Sequence, residues 1–94
     1  MKTHVELRRG AYADSVTLLQ VSRTVQGVEG VAAAQVAMAT ALNLEVLTEM
    51  GFAVPAEATP NDMVVAVRLT DDGSLDAALA GVASALAELS LIHI

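Results

Sequence analysis

The sequence has no cysteine and no tryptophan, and only two aromatic side chains, Tyr12 and Phe52. Without cysteine, disulfides and thiolate metal sites are excluded. Without aromatics, the core falls to Val, Leu, Ala and Met, which bury less area per side chain, so a small stability margin is expected. Positive charge is also scarce: five Lys and Arg stand against eleven Asp and Glu, a net charge of −6, which argues against a nucleic-acid partner. No apolar run reaches the roughly 18 residues of a membrane span. The opening Met1-Lys2-Thr3-His4 carries no apolar signal segment. No membrane partner is expected, and the expected location is cytoplasmic. Neither glycine-rich phosphate loop, Gly-x-x-x-x-Gly-Lys or Gly-x-Gly-x-x-Gly, occurs. Ser15, Ser22, Ser74 and Ser84 have no recognisable base partner, and the histidines are His4, near the terminus, and His93. A catalytic triad, a histidine metal site and a bound cofactor are therefore not expected.

What remains is a chain of 94 residues, 54% of them hydrophobic, enough for one small domain. Such an apolar excess in so small a chain points to a partner covering part of the surface. Charge is uneven. Residues 1–27 hold Lys2, Arg8, Arg9 and Arg23 against Glu6 and Asp14, whereas the remainder holds Arg68 against nine acids. Two solvated faces are the plain reading, and attraction between copies or domains is the functional one.

The alternation His4-Val5-Glu6-Leu7-Arg8 predicts a half-buried strand ended by Gly10. Asp14-Ser15 offers an N-cap for a helix over about 16–26, with Leu18, Val21 and Val25 on one stripe, Leu19 widening it and Gly27 as its stop. Val31 to Ala39 reads as a second strand. A short helix follows, with Leu44, Leu47 and Met50 inward, Asn43 as its cap and Gly51 closing it. Pro55 to Asp62 is a loop ending in the turn residues Thr59-Pro60-Asn61-Asp62. Met63 to Leu69 is apolar on both faces and predicts a central strand. Asp71-Asp72-Gly73-Ser74 then starts a helix with Leu75, Leu79, Val82, Leu86 and Leu89 on one stripe. The expected fold is α+β: a small ferredoxin-like or ACT-like sandwich of about three strands, two longer helices and one short helix. The helices are expected on one face, and the sheet is expected to have two open edges.

The last residues, Leu89 to Ile94, match one reading frame of a sequencing-library adapter. Residues 1–88 are accordingly expected to be the domain and 89–94 a non-native tail, the natural protein continuing beyond it. A short fourth strand is the other reading of these residues.

The series Arg8-Arg9-Gly10-Ala11-Tyr12-Ala13-Asp14-Ser15-Val16, Ser22-Arg23, Gly30-Val31, Val36-Ala37-Met38-Ala39-Thr40, Asn43, Gly51-Phe52, Ala58-Thr59-Pro60-Asn61-Asp62 and Val65-Ala66-Val67-Arg68 resembles the N-terminal domain of the FdrA family, over about residues 4–70. The resemblance implies a larger parent with CoA-binding and ligase-like domains similar to the succinyl-CoA synthetase α-subunit. Some such proteins are linked to oxamate carbamoyl transfer. The CoA-binding parts and the phosphorylated histidine of that family lie downstream, so the resemblance assigns no catalysis to this segment.

One polar set stands out as a ligand or interdomain contact: Thr40, Asn43, Asn61 and Asp62, which the proposed topology brings near one another. The simpler reading is that Asn43 caps its helix while Asn61 and Asp62 satisfy their own turn. Arg8 and Arg9 point to opposite strand faces, so at most two of Arg8, Arg9 and Arg23 can share an anion. Met38, Met50 and Met63 read as core. The chain is expected to be a non-catalytic interaction and assembly domain, self-associating when isolated and docking in nature on the C-terminal domains of its parent. An ACT-like regulatory domain binding a small metabolite between subunits is the alternative. A contribution to an acyl-CoA or carbamoyl-transfer site is a third reading.

Overall fold

The computed structural model describes residues 2–92, the last five as backbone only. The elements are β1 (Lys2–Arg8), α1 (Ser15–Gln26), β2 (Val31–Met38), α2 (Ala41–Glu49), β3 (Met63–Leu69) and α3 (Leu75–Ile92). The strands form one sheet in the order β1-β3-β2, and β3 runs antiparallel to both neighbours. Strands β1 and β2 are thus parallel and joined through α1, with β3 inserted between them. This is the split β-α-β arrangement of a ferredoxin-like α+β fold.

The doubly apolar β3 explains the layering. Along it Met63, Val65, Val67 and Leu69 face one side, and Val64 and Ala66 the other. The first set packs with Leu18, Val21 and Val25 of α1, Ala34 and Val36 of β2, and Ala78, Val82 and Ala85 of α3. The second packs with Ala39, Leu47 of α2 and Phe52, flanked by Val5 and Leu7 of β1. The expectation of helices on one face is corrected here: α2 and the segment after it cover the opposite face. A central strand apolar on both sides needs cover on both.

Helix α3 shows a related adjustment. Its most buried positions are Ala78, Val82 and Ala85, with Leu75, Leu79 and Leu86 at the margins. The small side chains let α3 approach α1 and the turn after it closely: a methyl group at Gly81 would sit 4.0 Å from Val25 Cγ2 of α1 and 3.0 Å from Val28 Cγ2 just beyond it. Backbone approach is equally tight where Gly30 (φ +88°) meets Gly73, since a methyl group on Gly30 would lie 2.6 Å from the Gly73 Cα. The α3 backbone is helical through Ile92, so Leu91 and Ile92 form no fourth strand. His93 and Ile94 lie outside the described residues.

The helix ends differ from expectation in two details. Thr40, not Asn43, caps α2, its side chain accepting from the Asn43 N–H at 3.3 Å. Asn43 instead donates from Nδ2 to the Met38 carbonyl at 2.9 Å. At the end of α1, Gly27 is right-handed (φ −82°), and the left-handed glycine of that connection is Gly30. Asp14 caps α1 as expected, accepting from the Thr17 N–H.

Candidate functional site

Two places gather polar groups: the outer edge of β2 and the turn before β3. At the first, α1 lies beside the strand. Ser22, fully enclosed, accepts from the Val36 N–H at 2.9 Å and donates to the Leu18 carbonyl at 2.9 Å. Gln26 Nε2 donates to the Ala34 carbonyl at 2.9 Å, and Asn43 serves Met38 in the same way. Four outward backbone groups of this edge strand, the Val36 N–H and the carbonyls of Ala34, Val36 and Met38, are thereby occupied by side chains. This corrects the expectation of two open sheet edges: β2 is sealed by α1 and by the start of α2.

Asp62 organises the second place. It is 7% exposed, and its carboxylate accepts from the Thr59 N–H and the Thr59 Oγ1, both at 3.1 Å, and from the Gly10 N–H at 3.4 Å. The backbone hydrogen bond from Thr59 is the main cause holding its carboxyl below the ordinary range; burial opposes, and the Thr59 hydroxyl, Gly10 and the Arg9 charge assist. Asp62 therefore ties the β1–α1 connection to the loop before β3. Asn61 is exposed in the turn.

The four polar residues singled out from sequence are neighbours through the backbone but do not share one cavity. The Ala39 N–H donates to the Asp62 carbonyl at 2.9 Å, which puts the end of β2 beside the start of β3. The Asp62 side chain is committed to Gly10 and Thr59, whereas Thr40 and Asn43 border a cleft on the α1 side. That cleft encloses about 540 Å³ between Tyr12, Val16 and Leu19, on and before α1, and Gln35 to Met38 on β2, with Thr40 and Asn43 at its end. Its size is that of a small-molecule or peptide groove, for which about 300–1,000 Å³ is usual. Its rim is unusually apolar for a surface: Tyr12 is 77%, Val16 60% and Leu19 52% exposed, and Leu42 and Val46 of α2 continue the exposure nearby.

Sequence reading assigned Leu19 to the core stripe of α1 and missed this rim. The available signal was a second apolar row, Val16 and Leu19, three residues apart and offset from Leu18, Val21 and Val25. The three arginines do not converge. Arg8 Nε donates to Glu6 at 3.1 Å, Arg9 lies 4.0 Å from Glu57, and Arg23 is exposed in the last turn of α1. Arg68, by contrast, has a structural post: its guanidinium donates to the Met50 carbonyl at the end of α2 and lies over the Phe52 ring.

These features define a ferredoxin-like α+β domain with a surface cleft and an apolar rim. The chain belongs to the family described as AllF, heavy metal-associated domain, which matches residues 1–91 as an N-terminal domain. That membership agrees with the resemblance to FdrA-type N-terminal domains. No solved structure matches the chain significantly.

The family description raises the matter of a metal, and the residues do not fit a soft heavy-metal ion. Such ions favour thiolate, thioether and imidazole donors. The chain has no cysteine, the His4 Nε2 is engaged by Glu6 Oε1 at 2.9 Å, and Met38, Met50 and Met63 pack into two separate hydrophobic clusters. Among the described residues no group of three His, Cys, Asp or Glu side chains converges. Nor, among them, is any helix long and apolar enough to cross a membrane.

Proposed function

We propose that this domain is a non-catalytic docking module at the N-terminus of an FdrA/AllF-like protein. Its occupant is the remainder of the parent polypeptide, where the CoA-ligase-like or carbamoyl-transfer chemistry implied by the family resemblance resides. The carrying observation is the exposed apolar row Tyr12, Val16 and Leu19 along a cleft floored by β2. Aromatic and aliphatic anchors beside a groove, with polar groups at its end, are the composition of a protein contact. Thr40, Asn43 and Gln35 supply the polar end, and the overall negative charge favours a basic partner surface.

The test is a titration of the chain with the separately expressed remainder of the parent. Binding is expected, and the double variant Tyr12→Ser with Leu19→Ser is expected to weaken it at least about tenfold without change in far-UV circular dichroism. Equal binding by wild type and variant would reject this face.

A second reading is favoured by the size of the same cleft: an ACT-like pocket in which Thr40, Asn43 and Gln35 bind a small polar metabolite. Chemical-shift changes at those three residues on adding amino acids, dicarboxylates or CoA esters would support it. Their absence would remove it.

A further inference from the structure

The two sheet edges are treated differently. Alternation in an antiparallel ladder turns each residue's N–H and C=O toward one neighbour and the next residue's toward the other. The Ala39–Asp62 and Thr70–Gly30 backbone bonds extend the β2–β3 ladder, while Val36 turns outward to Ser22. Even-numbered residues of β3 therefore bond to β2, and odd-numbered ones to Lys2, His4, Glu6 and Arg8 of β1 through the observed register. The backbone groups of Thr3, Val5 and Leu7 point away from the sheet. Among the described residues no turn, loop or side chain hydrogen-bonds to them.

Resting on the assembly reading above but placed on a different surface, we infer that β1 pairs antiparallel with β1 of a second copy, joining two sheets into one of six strands. The register is set by the sequence of β1 itself. With Val5 opposite Val5 of the second copy, Thr3 faces Leu7 and all seven residues of β1 are used. The hydrogen-bonded positions are then the three outward ones on each strand. On one face His4 comes opposite Glu6 twice, in the closely spaced non-hydrogen-bonded pairs where side chains interact most. These join the row already formed within each strand, in which Glu6 bonds His4 at 2.9 Å and Arg8 at 3.1 Å. On the other face Val5 meets Val5 and Leu7 meets Thr3 of the second copy, and Val5 and Leu7, half-buried at the margin of the α2-side core, extend that core towards the axis. Shifting the register by two residues leaves part of β1 unpaired: one direction opposes Glu6 to Glu6, and the other opposes His4 to His4 and moves Leu7 beyond the end of the partner's β1. Lys2 opposite Arg8 at the two ends is the one unfavourable pair, and it lies at the exposed start of the strand.

The cysteine-free chain makes the register directly testable. Sedimentation equilibrium at roughly 100 μM, a concentration that populates weak contacts, is expected to give twice the 9.7 kDa mass of one chain. Thr3→Pro removes an outward N–H and no rung of the β1–β3 ladder, as edge strands tolerate, and is expected to restore 9.7 kDa with unchanged circular dichroism. Val5→Cys places two thiols at a spacing a disulfide bridges, about 5.5 Å between Cα atoms. Its air oxidation to a covalent dimer is expected to run about tenfold faster than that of Glu29→Cys, an exposed control. A wild-type monomer, including one whose β1 edge is filled by a further strand of a longer parent chain, would overturn the inference. So would a dimer untouched by Thr3→Pro, with Val5→Cys no faster than the control. Tyr12→Ser with Leu19→Ser is expected to leave the doubled mass intact. Should that variant alone produce the monomer, self-association belongs to the α1 face and the β1 pairing is wrong.

Discussion

At the scale of single residues, small polar side chains do the joining. Ser22 links α1 to β2, and replacing it by alanine leaves the Val36 N–H enclosed without its acceptor. Ser22→Ala is expected to cost about 1–3 kcal/mol, read from urea denaturation. Asp62 predicts a pH dependence. Its folded pKa is depressed, so its contribution is present above the ordinary carboxylate value and is lost as pH falls through the lower folded value. Glu6 adds to the same trend: the hydrogen bond with His4 is the main cause lowering it, opposed by partial burial and aided by Arg8. The melting temperature is therefore expected to drop below about pH 4, and Asp62→Asn is expected to lower it at neutral pH and flatten the remaining acid limb. Such roles were only half legible. Turn chemistry pointed to Asp62 and cap chemistry to the start of α2. That Thr40 caps while Asn43 reaches back to Met38 depends on where the chain enters the helix, which residue types alone do not fix.

At the scale of elements, β3 was the most legible because seven apolar-dominated residues between a turn and a turn allow little else. Its hydrophobicity also implied cover on both sides. The placement of α2 was missed because three inward residues on a short helix specify a face but not which side of a sheet receives it. Leu47 is the anchor, fully enclosed among Val64, Ala66 and Phe52. Leu47→Ala is expected to destabilise by about 2–5 kcal/mol, with α2 amides exchanging faster than those of α1 in hydrogen–deuterium exchange. Helix α3 illustrates the opposite limit. Its leucine stripe gave the helix and its orientation to within one row, while the contact with α1 runs over Ala78, Gly81 and Ala85, whose small size signals closeness rather than hydrophobicity.

At the scale of the molecule, composition excluded more than it assigned. The absence of thiols and the engagement of His4 predict that copper(I) and zinc ions will not shift the melting temperature or the amide spectrum of this domain at equimolar ratio. A stoichiometric shift measured by thermal denaturation or heteronuclear NMR would contradict that. The class of fold was readable from the order of elements, and the family from scattered motifs that now have positions: Ser22, Asn43 and Arg68 hold elements together rather than face a substrate. The strand order carries a last consequence. Because β1 and β2 touch β3 and not each other, no rung of the sheet exists until the segment from Met63 onward has been synthesised. On the ribosome the first two strands wait as unpartnered chain, and the domain closes late, when its third strand slides between them; a message broken before that point yields a polypeptide with nothing to fold around.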